Sequence, residues 1–247
     1  GATLMLTNPT LDKLQRLRLT GMYDAYRELL ESSRYDALDF DERFALLLDR
    51  QEAEQDNRRL QTRLNKAKLR QNACVEDIDY RKSRGLNKTL VHALAECHWL
   101  RSHENCIITG PTGAGKSYLA CAFGNHACRR GFTVRYFRTP RFFQALAVAR
   151  GTGRYDRVLR SLLRIDLLII DDWGTALLTD EERRDLFEIV EDRYDRRSTL
   201  IAAQLPVEHW HDIIGDPTLA DAILDRLIHN AHTIPLKGES MRKRNPT

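Results

Sequence analysis

Gly110-Pro111-Thr112-Gly113-Ala114-Gly115-Lys116-Ser117 follows directly on the apolar run Cys106-Ile107-Ile108-Thr109. Its spacing is G-x-x-x-x-G-K-[ST], the pattern of a loop that joins a strand to a helix and wraps a phosphate chain. Gly110, Gly113 and Gly115 permit positive φ and bring successive backbone N–H groups close to phosphate oxygens, an approach that a Cβ would obstruct. The pattern predicts a helix from Ser117 to Arg129 whose N-terminal dipole faces the same anion. Lys116 is placed to reach the β- and γ-phosphates and the Ser117 hydroxyl to hold Mg2+, so a nucleoside triphosphate is the first ligand to expect.

Downstream, Leu167-Leu168-Ile169-Ile170 reads as a buried strand ending in Asp171-Asp172. Two carboxylates there suit a metal-assisted hydrolysis: Asp171 would bind Mg2+ beside Ser117, and Asp172 would polarise the attacking water. Taken alone, the same acids also suit a cap before Trp173-Gly174. Other short apolar runs, Thr133 to Phe137, Thr199 to Ala203 and His232 to Pro235, alternate with helical patterns. That order predicts an α/β fold with a central parallel sheet flanked by helices, its ligand at the carboxyl ends of the strands. Gln204 follows one such strand and is placed either to touch a γ-phosphate or to serve ordinary turn chemistry before Pro206. In Ala222-Ile223-Leu224-Asp225-Arg226-Leu227, Arg226 is either a surface ion-pair partner or a finger that enters a neighbouring subunit's nucleotide site.

Residues before about Asn87 have a different character. From Thr10 to about Leu69 apolar residues recur at helical spacing, as in Leu11, Leu14 and Leu17, or Phe40, Phe44 and Leu47. A small all-helical domain over 1–75, a linker over 76–90 and a nucleotide-binding domain over 91–247 are expected, with Gly21 interrupting the first helices and Asp39 or Asp41 capping the helix near Phe40. The 247 residues carry a net charge of only +4, from 39 Lys+Arg and 35 Asp+Glu. The charge is segregated, however. Arginines dominate from Arg129 to Arg164, and acids dominate from Asp166 to Asp195. Such asymmetry suits a polyanion partner or pairing of opposite faces between subunits. Arg138, Arg141, Arg150, Arg154 and Arg157 are the first candidates for contacts to such a polyanion, followed by Lys66, Lys68 and Arg70 in a second basic run of the kind nucleic-acid binders also carry. Phe142, Phe143 and Tyr155, interleaved at helical spacing, read as core. Five cysteines without metal-ligand spacing read as small buried thiols of a reducing cytoplasm, and no apolar run is long enough to span a membrane.

The phosphate loop, Leu167 to Gly174, Gln204-Leu205-Pro206 and Ala222 to Leu227 together resemble the AAA+ P-loop ATPases of the IstB/DnaC group. Leu17-Arg18-Leu19-Thr20-Gly21-Met22, Glu76-Asp77-Ile78-Asp79-Tyr80-Arg81 and Gly238-Glu239-Ser240-Met241-Arg242-Lys243 resemble more specifically the IstB type, the helper ATPases of bacterial insertion sequences. The resemblance spans nearly the whole chain. It implies ATP with Mg2+ held by Gly110 to Ser117 and Tyr118, and slow, regulated hydrolysis. It also implies a homo-oligomer on double-stranded DNA, with ATP at subunit boundaries, that assists a DDE-type transposase in target choice. Arg226 becomes the finger and Gln204 a sensor, both joining Lys116 and Asp172 as catalytic groups. Asp172 stands where many members of the wider superfamily carry Glu. No room is left for a full helical lid, so Arg242 is a weak second sensor. A replicative helicase loader of the DnaC type shares these motifs and differs in its partner. A small-molecule kinase would need an acceptor pocket and lid, and a GTPase would need an Asn-Lys-x-Asp string that does not occur.

Overall fold

A computed structural model describes residues 8–80 and 85–238. They divide into two compact units, one reaching to Thr62 and one beginning at Arg63. This division lies inside a helix, earlier than the polar stretch 76–90. Residues beyond it bond into the second unit: Arg63 Nη1 donates to Cys128 O at 2.9 Å, and Arg129 pairs with Glu76 at 2.7 Å.

The first unit is built from α1 (Pro9–Arg16), α2 (Thr20–Glu31) and most of α3 (Phe40–Ala67). The helix break expected at Gly21 falls instead at Arg18, which takes a left-handed φ of 58°. Gly21 lies buried within α2. Its lack of a side chain serves close packing, since a Cβ there would sit 2.6 Å from the Arg50 carbonyl oxygen and from Gln51 Cα on α3. Of the two candidate caps for α3, Asp39 is used. Its Oδ1 accepts from Glu42 N at 2.8 Å while Glu42 Oε2 accepts from Asp39 N at 2.9 Å, a reciprocal capping box. Leu17, Phe40 and Phe44, which carry the helical period, remain exposed.

In the second unit, α4 (Lys88–Ala95) and α5 (His98–Arg101) lead into β1 (Asn105–Thr109), and α6 (Lys116–Arg129) and β2 (Val134–Arg138) follow. Next come α7 (Thr139–Gly151), α8 (Tyr155–Leu163), β3 (Leu167–Trp173), α9 (Asp180–Arg193) and β4 (Ser198–Ala203). The described part closes with α10 (Trp210–Ile214), α11 (Pro217–Ile228) and β5 (Ala231–Pro235). All five strands run parallel in the order β2-β3-β4-β1-β5. β1 and β4 are buried along their whole length, as expected for strands covered on both faces. α6 covers one face. It approaches so closely that a Cβ on Gly124 would meet Ile169 Cδ1 at 2.8 Å and Leu69 Cδ2 at 2.9 Å. The opposite face carries a core in which Ile107, Leu168, Ile170 and Ile201 pack against α7 to α11, with Phe142, Phe143, Trp173 and Trp210 buried among them. Phe142 and Phe143 are therefore core, as their spacing indicates. No helix of the described residues follows β5, and Arg242 and residues 239–243 of the C-terminal string lie outside them. Arg81 of the other quoted string is also outside.

A buried cation joins the sheet to its helices. Arg193, 1% exposed, donates to the carbonyls of Leu162 at 2.7 Å and Ile165 at 2.9 Å, to Ser198 O, and to Thr199 Oγ1 at 3.2 Å. Burial pulls its guanidinium down to about 9, still protonated at neutral pH. One side chain thus ties the end of α8 and the entry of β3 to the start of β4. Arg193→Met keeps much of the volume but strands three carbonyls, so urea denaturation should show a stability loss of about 3 kcal/mol or more. An unchanged midpoint would show that the carbonyls find other partners.

Candidate phosphate-binding site

The phosphate loop begins where β1 ends. Gly110, Gly113 and Gly115 have φ values of 145°, 84° and 100°, so all three use the backbone freedom that the motif requires. A Cβ on Gly110 would lie 2.6 Å from Leu236 O, which fixes the loop against the chain leaving β5. α6 begins at Lys116, one residue earlier than expected, and its N-cap Gly115 makes no side-chain cap. The first N–H groups of the helix are therefore left for a ligand. Lys116 is buried to 7% exposure and its ammonium donates to Gly110 O at 2.7 Å and Pro111 O at 2.8 Å.

β3 brings the two acids to the same end of the sheet. The strand does not stop at Ile170 but continues to Trp173, so Asp171 and Asp172 are strand residues and not a helix cap. Pairing with β4 slips between Ile170 and Trp173, and Asp172 takes a left-handed φ of 59°. A non-glycine residue there carries local backbone strain of order 1–3 kcal/mol, which the surroundings must hold. Asp171 is fully buried, with its Oδ2 accepting from Tyr136 Oη at 2.6 Å and its Oδ1 from Asp172 N at 2.8 Å. Its backbone oxygen accepts from Thr139 Oγ1 at 3.0 Å. Burial and the Asp171 carboxylate both push the Tyr136 phenol well above its ordinary range, so it remains a donor. Arg138 Nε donates to Asp172 Oδ2 at 2.7 Å, and Arg70 Nη1 lies 3.9 Å from Asp171 Oδ2 and 3.8 Å from Asp172 Oδ2.

Asp172 and Arg70 face a cavity of about 280 Å³ lined by Thr112, Gly113, Gly115, Lys116, Ser117 and Tyr118 on one side. Arg70, Gln71, Asp172 and Gln204 complete it. Tyr118 Oη donates to Cys74 O at 3.4 Å, which draws the segment after α3 to the start of α6. Among the described residues no cluster of three His, Cys, Asp or Glu side chains forms a metal cage. A carboxylate and a hydroxyl lining one cavity, Asp172 and Ser117, would instead suit Mg2+, which keeps much of its water and relies on phosphate oxygens for the rest.

Other expected residues lie elsewhere. Arg226, on α11, does not line this cavity; its guanidinium binds Glu191 on α9, which holds its pKa up, and lies 3.5 Å from Asp225. Three of the arginines expected at DNA phosphates are drawn to carboxylates within the chain, and Arg141 donates to Gln144. Arg138 is on Asp172 and Arg70 faces both acids. Arg150 binds Glu181 and Asp185 on α9 and stacks over Tyr155 at 4.1 Å. The segregated charges of the sequence meet here because Arg150, at the end of α7, and Tyr155, at the start of α8, both lie against α9. Arg141, Arg154, Arg157, Lys66 and Lys68 remain exposed. Tyr136, Thr139 and Gln71 escape sequence reasoning altogether. Only the pairing of β2 with β3 and the docking of residues 69–78 place them at the acids, and no local pattern encodes either.

Comparison with known proteins agrees with this geometry. The family model described as IstB-like ATP binding protein matches residues 12–247. The insertion-sequence protein y4pL of Sinorhizobium fredii is 53% identical over 97% of this chain and 98% of its own length. The corresponding protein of insertion sequence IS21 from Pseudomonas aeruginosa is 31% identical over 93% and 86%. Both are named as ATP-binding proteins. Among solved structures, the DnaC helicase loader aligns with a TM-score of 0.56 at 18% identity, covering 67% of this chain and 97% of its own. DnaA bound to AMPPCP and single-stranded DNA aligns at 0.56 and 19%, covering 70% and 52%. These two likenesses show an AAA+ P-loop fold. With the family model matched over nearly the whole sequence, the chain belongs to the IstB-like ATP-binding protein family of insertion sequences.

Proposed function

We propose that this protein is a DNA-dependent ATPase switch that assembles on double-stranded DNA and assists a DDE-type transposase in choosing its target. The observation that carries the reading is the convergence of the loop, Asp172 and Gln204 on one cavity at the carboxyl edge of the sheet, with Asp171 buried directly behind Asp172. Gly110 to Ser117 would cradle the triphosphate, with Lys116 turning from the loop carbonyls to its β- and γ-oxygens. Ser117 and Asp171 would hold Mg2+, which supplies charge neutralisation along the phosphates. Asp172 would orient the lytic water and Gln204 the γ-phosphate. Asp172 reaches less far than the glutamate common at this position, which suits slow turnover.

In this reading Arg226 completes the site of an adjacent copy. Its position outside its own cavity and its partial exposure support that use. ATP at each boundary would then favour the assembled state, and hydrolysis would release it. DNA phosphates would be met by Arg141, Arg154 and Arg157, with Lys66 and Lys68 as a second group. The helical part of the chain would act as a domain distinct from the ATPase body. The free thiols, buried at Cys97, Cys106, Cys121 and Cys128 and half-buried at Cys74, with Cys106 pushed up to about 12 by burial, suit the cytoplasm. No helix among the described residues is long and apolar enough to cross a membrane.

DNA-stimulated phosphate release is the direct test, and its absence with any DNA would exclude the reading. Lys116→Ala should weaken ATP binding by roughly tenfold to a hundredfold and remove ATP-promoted assembly in sedimentation experiments. Asp172→Asn should still bind ATP and stay on DNA while turnover falls; rapid hydrolysis by this variant would remove Asp172 from the chemistry. Arg226→Ala should bind nucleotide as the wild type does yet neither assemble nor hydrolyse. Co-purification with the transposase of the same element is expected, whereas capture of a hexameric helicase would reassign the partner.

A further inference from the structure

Arg70 lies just past the end of α3 at Ala67, in a segment held firmly to the ATPase body. Lys68 ends the helix with a left-handed φ of 54°, and Arg135 Nη1 donates to Lys66 O at 2.8 Å. The Leu69 side chain packs against α6 at Gly124, and Tyr118 Oη at the start of α6 donates to Cys74 O at 3.4 Å. From this perch the guanidinium spans the two acids at 3.9 and 3.8 Å, too far for a direct hydrogen bond to either. Its N–H groups donate no hydrogen bond to any described residue, although the side chain is only 39% exposed and lines the cavity with Lys116 and Ser117. Asp171 is 1% exposed and Asp172 22%, so a nearby cation offsets part of the cost of placing two adjacent carboxylates there. The result is a planar, forked donor with unused hydrogen-bonding capacity, attracted to the acids and facing the space that a phosphate chain would fill. Arginine in that situation suits bidentate binding of phosphate oxygens.

We infer that Arg70 reads the terminal phosphate of the nucleotide bound by its own subunit, resting on the carboxylate pair with a diphosphate and moving to the γ-phosphate with a triphosphate. The inference rests on the ATP reading above and adds a residue to it. Arg70 is distinct from Arg226, which is directed toward a different subunit in that reading. A cation between Asp171 and Asp172 repels a divalent ion, so loading the site itself drives the guanidinium from the acids toward phosphate oxygen. Removing Arg70 therefore affects triphosphate more than diphosphate.

The test uses the full chain as wild type, Arg70→Ala, Arg70→Lys and Lys116→Ala, titrated with ADP and with a slowly hydrolysed ATP analogue in Mg2+ by fluorescence anisotropy. Arg70→Ala should lose about tenfold in affinity for the triphosphate and less than about twofold for ADP, whose retained binding reports an intact site. Arg70→Lys should recover part of the loss, since the charge remains but the fork does not. Lys116→Ala should weaken both nucleotides. Equal losses for ADP and triphosphate in Arg70→Ala, or no loss, would overturn the role of Arg70 while leaving the ATP reading standing. Wild-type protein that binds neither nucleotide would overturn both.

Discussion

A carboxylate buried at the end of a strand governs the arrangement of this molecule. Asp171 has no exposed surface, and an ion taken out of water costs several kcal/mol unless its lone pairs are met. One oxygen is met by the Tyr136 hydroxyl and the other by the amide of Asp172. The first contact requires β2 beside β3 in the register that pairs Arg138 with Asp171 and Tyr136 with Ile169. The second bends β3 locally, and the price of that bend is the left-handed Asp172 with its slipped pairing to β4. Bent in this way, the strand carries Asp172 at the cavity rim, paired in register with neither neighbouring strand and within reach of Arg138 and Arg70.

Charge elsewhere is handled by the same rule of local compensation. The basic and acidic halves of the sequence suggest two faces, one for a polyanion and one for a neighbour. In the fold, Arg150 crosses to Glu181 and Asp185 on α9, and the single proton of the Tyr155 hydroxyl lies within donating distance of Asp185 at 2.7 Å and of Glu188 at 2.9 Å. Burial pushes the Asp185 carboxyl up, while Tyr155 and Arg150 oppose that shift. Among the described residues Arg193 meets no carboxylate at hydrogen-bond distance, and it is stabilised by backbone carbonyls. Net charge and its sign along the chain therefore overstate the basic surface: only those arginines whose helices turn them away from α9 and the strand ends remain for a polyanion.

The phosphate loop, the acids and the parallel sheet were legible because each rests on local rules. Glycine spacing reports backbone φ, an unbroken apolar run reports burial on both faces, and a hydrophobic strand ending in acids reports a polar edge. Asp39 was legible as a cap for the same reason. Gly21 was misread because a glycine that breaks a helix and one that lets two helices touch look identical without the partner, here Arg50 and Gln51. Arg70 and Arg138 were read as surface charge because nothing near them in sequence is acidic; their partners are about a hundred and about thirty residues away along the chain.

By itself, then, the sequence determined the class of fold, the glycine-permitted backbone of residues 110–117 and a pair of acids on the strand β3, since all of these follow from short-range backbone geometry and side-chain period. Only the tertiary structure decided how those acids are neutralised. Strand order sets Tyr136 and Arg138 against β3, and the docking of the segment after α3 sets Arg70 against both carboxylates. Electrostatic energy depends on distance in space and on burial, and neither quantity is carried by neighbouring residues in the chain.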